Sequence, residues 1–68
     1  MDNSFFLKNK IKNLPNKTGV YLFLNKDKEV IYIGKSVNIK ARVNSYLNPK
    51  SIKDRNLISN SFDVDCFL

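Results

Sequence analysis

Two apolar runs of strand length, "GVYLFL" at 19–24 and "EVIYIG" at 29–34, flank the polar stretch "NKDK" at 25–28. Runs rich in β-branched and aromatic residues around a turn-forming stretch pair as a hairpin. In a chain of 68 residues that hairpin commits much of the available core. A domain of about 60 residues buries only about 60% of its unfolded surface, so the core is thin. With Leu24 and Glu29 closing the loop, Tyr21 lies directly opposite Tyr32. Val20, Leu22 and Leu24 then share the other face with Ile31 and Ile33. A slip of one residue would break that arrangement.

The flanking segments read as helices. Residues 4–13 carry Ser4 as a cap and Phe6 or Leu7, Ile11 and Leu14 at helical spacing, with Pro15 as a stop. Gly34 ends the second strand, and Ser36 is placed to cap a helix running to about Leu47. Ile39, Val43, Tyr46 and Leu47 form its apolar stripe, while Lys35, Asn38, Arg42 and Tyr46 make a second row. Residues 51–60 predict a shorter helix with Ile52, Leu57 and Ile58 inward. "DVDCFL" at 63–68 begins a third strand, which the end of the chain cuts short. Strands and helices in mixed order give an α+β fold.

The net charge of +6 favours a polyanionic partner, with nucleic acid ahead of an anionic membrane. Lys35, Lys40, Arg42, Lys50, Lys53 and Arg55 fall in one stretch whose first acid is Asp54. No run approaches the ~20 apolar residues of a membrane span, and no segment pairs a broad apolar face with a lysine-rich back. One cysteine and no histidine exclude an internal disulfide and a Cys/His zinc site. The N-terminus is not a signal peptide, so the chain is expected in the cytoplasm.

Tyr21, Tyr32, Lys35, Asn38 and Arg42 thus converge on the end of a hairpin and the start of a helix. Each has work available at a phosphate. A helix N-terminus offers free N–H groups to an anion, and Gly34 lets a ligand approach the backbone. Arg42 can clamp phosphate oxygens, and Lys35 adds a point charge. A tyrosine hydroxyl beside cations can take a proton from water. The plainer alternative is that the tyrosines are ordinary strand residues and that Lys35, Lys40 and Arg42 form a solvated helix face.

"GVY" at 19–21 and "YIG" at 32–34 resemble the motif of the GIY-YIG nuclease family. "LPNKTGVYLF" and "VIYIGKSVNIKARVNSYL" extend the resemblance to the UvrC-type branch, over about residues 11–68. It implies a small antiparallel three-stranded sheet with flanking helices. The implied activity is hydrolysis of DNA phosphodiesters on the 3′ side of a lesion during nucleotide excision repair. A divalent ion, Mg²⁺ or Mn²⁺, would assist. Damaged double-stranded DNA and UvrB would be the partners of the full-length protein.

Residue by residue, the resemblance makes Tyr32 the activator of water, supported by Tyr21. Arg42 stabilises charge at phosphorus, Lys35 is the basic residue after the motif, and Tyr46 lines the site. Gly34, Lys35, Asn38, Lys40 and Arg42 form the expected DNA-binding set, with Asn38 capping or positioning. The family's metal-binding glutamate is not matched. Glu29 is the only glutamate and belongs to the hairpin turn. Residues 1–68 are therefore expected to be a partial domain, lacking the helix that carries the ligand and inactive alone. A non-catalytic DNA- or partner-binding module, or a homing or restriction nuclease of the same family, are the alternatives.

Overall fold

The computed structural model describes residues 4–68, with side chains from Phe6 onward. The elements run α1 (Ser4–Lys12), β1 (Gly19–Leu24), β2 (Val30–Ser36), α2 (Ile39–Ser45), α3 (Ile52–Asn60) and β3 (Asp63–Phe67). The three strands form one antiparallel sheet in the order β2-β1-β3. The side chain of Ser4, expected to cap α1, lies outside the described residues.

Strand alternation sends Tyr21 and Phe23 of β1 and Val64 of β3 to one face, where all three are buried. α1 contributes Leu7 and Ile11 to that face, and α2 contributes Ile39 and Val43, with Tyr46 just past its end. These eight residues are the core among the described residues. Leu57 and Ile58 of α3 pack only at its edge, and α3 buries no residue fully. Ile52, expected to point inward, is exposed. It opens α3 just after the Ser51 cap, ahead of the residues that reach the core.

The hairpin register differs from expectation. Tyr21 pairs with Gly34, and Tyr32 pairs with Phe23. Two local features add up to a shift of two residues. Asn25 Oδ1 accepts from the backbone N–H of both Asp27 and Glu29, which keeps Glu29 inside the loop, so Leu24 pairs with Val30. A bulge between the Leu24 and Phe23 pairings then passes over Ile31. Side chains alternate with period two, so the double shift keeps Tyr21 and Tyr32 on the same face. Their rings are diagonal neighbours with centroids 6.2 Å apart.

The start of α2 also differs. β2 continues through Lys35 to Ser36, and Asn38 rather than Ser36 caps the helix. Asn38 Oδ1 accepts from Ala41 N at 3.1 Å, and Asn38 N donates to Ser36 Oγ at 3.0 Å. The third strand, expected to be cut short, instead pairs along nearly all of β1, from Val20↔Phe67 to Leu24↔Asp63.

Candidate functional site

Tyr21 and Phe23 on β1, Tyr32 on β2 and Tyr46 at the end of α2 make one aromatic cluster. Helical spacing from Ile39 and Val43 puts Tyr46 on the buried side of α2, across the inner face of the sheet. Its ring meets Phe23 edge-on at 5.0 Å and lies 6.1 Å from Tyr21 and 6.5 Å from Tyr32. Aromatic pairs of this geometry contribute about 0.5–1.5 kcal/mol each beyond the area they bury.

The polar ends of the cluster meet Arg42. The hydroxyls of Tyr21 and Tyr46 share a hydrogen bond of 3.1 Å. One helical turn before Tyr46, Arg42 Nη2 donates to the Tyr46 hydroxyl at 3.3 Å. Its guanidinium carbon sits 4.9 Å from the centroid of the same ring, a cation–π distance. Burial first, and the Tyr21 hydrogen bond second, raise the Tyr46 phenol well above the usual tyrosine value. The neighbouring Tyr21 hydroxyl is the main cause pushing Arg42 further up. At neutral pH the cluster therefore offers a fixed cation held by a neutral phenol.

Tyr32 plays a different part. It is half-buried, and its hydroxyl makes no hydrogen bond among the described residues. With Arg42 and Tyr46 it borders a cleft of about 1060 Å³ that runs between the β1–β2 turn and α3. A reacting group in that cleft meets the phenol of Tyr32 and the guanidinium of Arg42 from one side.

The other expected site residues are placed elsewhere. Gly34 gives room to a protein group rather than to a ligand, because a Cβ there would overlap the Tyr21 ring. Lys35 pairs with Val20 on the opposite face of the sheet from Tyr21 and Tyr32. It borders a separate shallow pocket with Thr18, Val20 and Val37. Lys40 is half-buried and lies outside the cleft. The side-chain oxygen of Asn38 is committed to the α2 cap.

The start of α2 cannot cradle an anion as the sequence suggested. Ile39 N donates to Lys17 O, Lys40 N to Pro15 O and Ala41 N to Asn38 Oδ1. The N–H groups that an anion would need are already used by the protein.

Two features were missed by the sequence reading. Phe23 shares the face of Tyr21 two residues on, a signal that alternation carries. The cleft wall made by Lys53, Asn56 and Leu57 depends on where α3 docks, and no local pattern announces that.

Carboxylates do not gather into a metal centre. Glu29 Oε1 accepts from Asn25 Nδ2 within the turn. Asp63 pairs with Lys10 at 3.3 Å, and Asp65 Oδ1 accepts from Cys66 N. Among the described residues no three His, Cys, Asp or Glu side chains come close enough to hold an ion. The described residues do not fit a divalent metal site of their own. No described helix is long and apolar enough to cross a membrane.

Comparison with known proteins identifies the family and the fold. Residues 17–68 match the family described as the UvrC-like GIY-YIG domain. UvrABC system protein C of Mesoplasma florum is 49% identical over 63 residues, and that of Mycoplasma mycoides is 46% identical. Each alignment covers 91% of this chain and 11% of the relative, so the chain spans about a tenth of their length. The GIY-YIG N-terminal endonuclease domain of UvrC from Thermotoga maritima, solved with its catalytic magnesium, superposes with a TM-score of 0.83 at 32% identity. That match covers all of this chain and 73% of the solved one. The same domain has been solved with its catalytic cation as tyrosine-to-phenylalanine and asparagine-to-alanine point mutants. With family match, sequence identity and fold in agreement, the chain belongs to the UvrC-like GIY-YIG family.

Proposed function

We propose that the chain supplies the tyrosine–arginine wall of a DNA endonuclease site that hydrolyses a phosphodiester 3′ to a lesion in nucleotide excision repair. The observation that carries this reading is the meeting of Tyr32, Arg42 and Tyr46 at one edge of the cleft. Tyr32, with its hydroxyl free of protein partners among the described residues, holds the attacking water and relays its proton: the phenol oxygen accepts a proton from the water as the phenolic O–H gives its own to a phosphate oxygen. General-base assistance of this kind contributes about 10²–10⁴ in rate. Arg42 donates to a non-bridging phosphate oxygen as charge builds there, and one such donor is typically worth ~10²–10³. Tyr46 orients Arg42 and stays neutral, and Tyr21 holds the Tyr46 hydroxyl in place. Lys35 and Lys40 add positive surface outside the cleft.

The cofactor class is Mg²⁺ or Mn²⁺, in keeping with the magnesium of the solved relative. The carboxylates described here do not form its site, so no step is assigned to it. Damaged duplex DNA is the proposed substrate, UvrB the proposed partner of the longer protein, and the cytoplasm the proposed location. The scattered carboxylates also support a second reading, in which these 68 residues alone bind DNA without cutting it.

A chimera tests the first reading. Residues 1–68 replace the matching part of the Thermotoga maritima domain, and plasmid nicking is measured with magnesium. Nicking that falls at least a hundredfold on Tyr32→Phe or Arg42→Ala is the expected result. A folded chimera that binds magnesium yet never nicks overturns the reading. Residues 1–68 alone are expected to show no metal-dependent nicking.

A further inference from the structure

Beyond the reacting phosphate, the cleft has no assigned role. We infer that it is a groove for the DNA strand leaving that phosphate, with Lys26 on one wall and Lys53 on the other as phosphate-positioning residues. This rests on the nuclease reading above and names the substrate contacts of the same site.

Size is the first argument. At about 1060 Å³ the cleft lies at the top of the ~300–1,000 Å³ range of small-molecule pockets, and it opens to solvent. An open cleft of that size has room for a segment of a polymer strand. The second argument is continuity, since Tyr32, Arg42 and Tyr46 border the same cleft as both lysines. A strand whose phosphate lies against Arg42 has its neighbours between the walls.

Rigidity is the third argument. Lys26 follows Asn25, whose side chain makes three hydrogen bonds across the turn. Lys53 is the second residue of α3, behind a Ser51 cap that accepts from Asp54 N at 3.1 Å. Both lysines are exposed and neither is in an ion pair among the described residues. Tyr32, Leu57 and Phe62 give the cleft apolar surface suited to sugars and base faces. Asp27 and Asp54 also border it, so its charge is only slightly positive. Phosphates are therefore held at two points rather than by a broad field, each lysine having a carboxylate as its chain neighbour.

The test is the salt dependence of binding to a short fluorescein-labelled duplex, using the 68-residue chain. Each lost phosphate contact lowers the slope of log K against log salt by about 0.9 on B-form DNA. Lys26→Ala with Lys53→Ala should lower it by about 1.8, and Lys26→Arg with Lys53→Arg should restore it. A charge-matched control, Lys8→Ala with Lys12→Ala on the exposed side of α1, should leave the slope unchanged. Circular dichroism checks that every variant keeps the fold. An unchanged slope in the cleft pair, or an equal fall in both pairs, overturns the groove while DNA binding stands. A parent chain that shows no salt-dependent binding overturns DNA binding by this chain, and the groove with it.

Discussion

A methyl group at Gly34 would overlap the hydroxyl end of the Tyr21 ring, so the two motif residues are one packing unit. The ring lies over the glycine because the register pairs Tyr21 with Gly34. Overpacking a core usually costs about 1–3 kcal/mol. Gly34→Ala should destabilise the fold by that amount or more, read from urea unfolding. Tyr21→Leu in the same chain should recover part of the loss if the ring is the obstacle. Tyr46 makes a prediction of a different kind. Its folded pKa is raised, so the folded state holds the phenolic proton more tightly than the unfolded state, whose value is about 10. That contribution to stability is complete below about pH 10 and is lost as pH rises toward the folded value. Urea midpoints followed upward from about pH 9 should fall faster in the parent than in Tyr46→Phe. At neutral pH the same variant removes the hydroxyl partner of buried Tyr21, at a cost of about 1–3 kcal/mol.

The β1–β2 turn shows why faces are legible in a sequence when registers are not. Alternation of Tyr21, Phe23 and Tyr32 with outward residues is a local pattern, and it placed the tyrosines on one face. Loop length and bulge position depend instead on Asn25 folding back onto two N–H groups. No periodicity marks that choice, and it moved the pairing by two residues. Similarly, Ser36 and Asn38 are both good caps. The choice of Asn38 follows from β2 running on to Ser36, a tertiary outcome. Lys35 went to the far face for the same reason, since each added strand residue alternates sides. The turn also holds Lys28 at φ 63°, in the left-handed region. A non-glycine residue pays about 1–2 kcal/mol there, while glycine adds about 0.5–1 kcal/mol of unfolded-state entropy. Lys28→Gly should therefore stabilise the hairpin by roughly 0.5 kcal/mol, read as a higher thermal midpoint. Asn38→Ala should cost about 1 kcal/mol through the lost cap.

At the scale of the whole molecule, helices cover one face of the sheet and leave the other bare among the described residues. Val20 and Leu22 of β1, Ile33 of β2 and Phe67 of β3 share that outer face. Ile33 and Phe67 are each 62% exposed, and Val37 and Leu68 are exposed nearby. Lys35 and Asp65 share the face, but these apolar residues adjoin across three strands, and exposed apolar surface of this kind promotes association. β2 and β3 are also free edges, each able to accept a further strand. Charge opposes this, because the chain carries +6 and like charges repel at low salt. Screening removes that repulsion while leaving apolar attraction intact. The 68-residue chain should therefore self-associate as salt rises. Sedimentation velocity across a salt series should show a growing oligomer fraction. Ile33→Lys with Phe67→Lys should keep the chain monomeric throughout, since both side chains point away from the buried core. A parent chain that stays monomeric at high salt and melts in one cooperative transition would show that this face is not sticky enough to drive association.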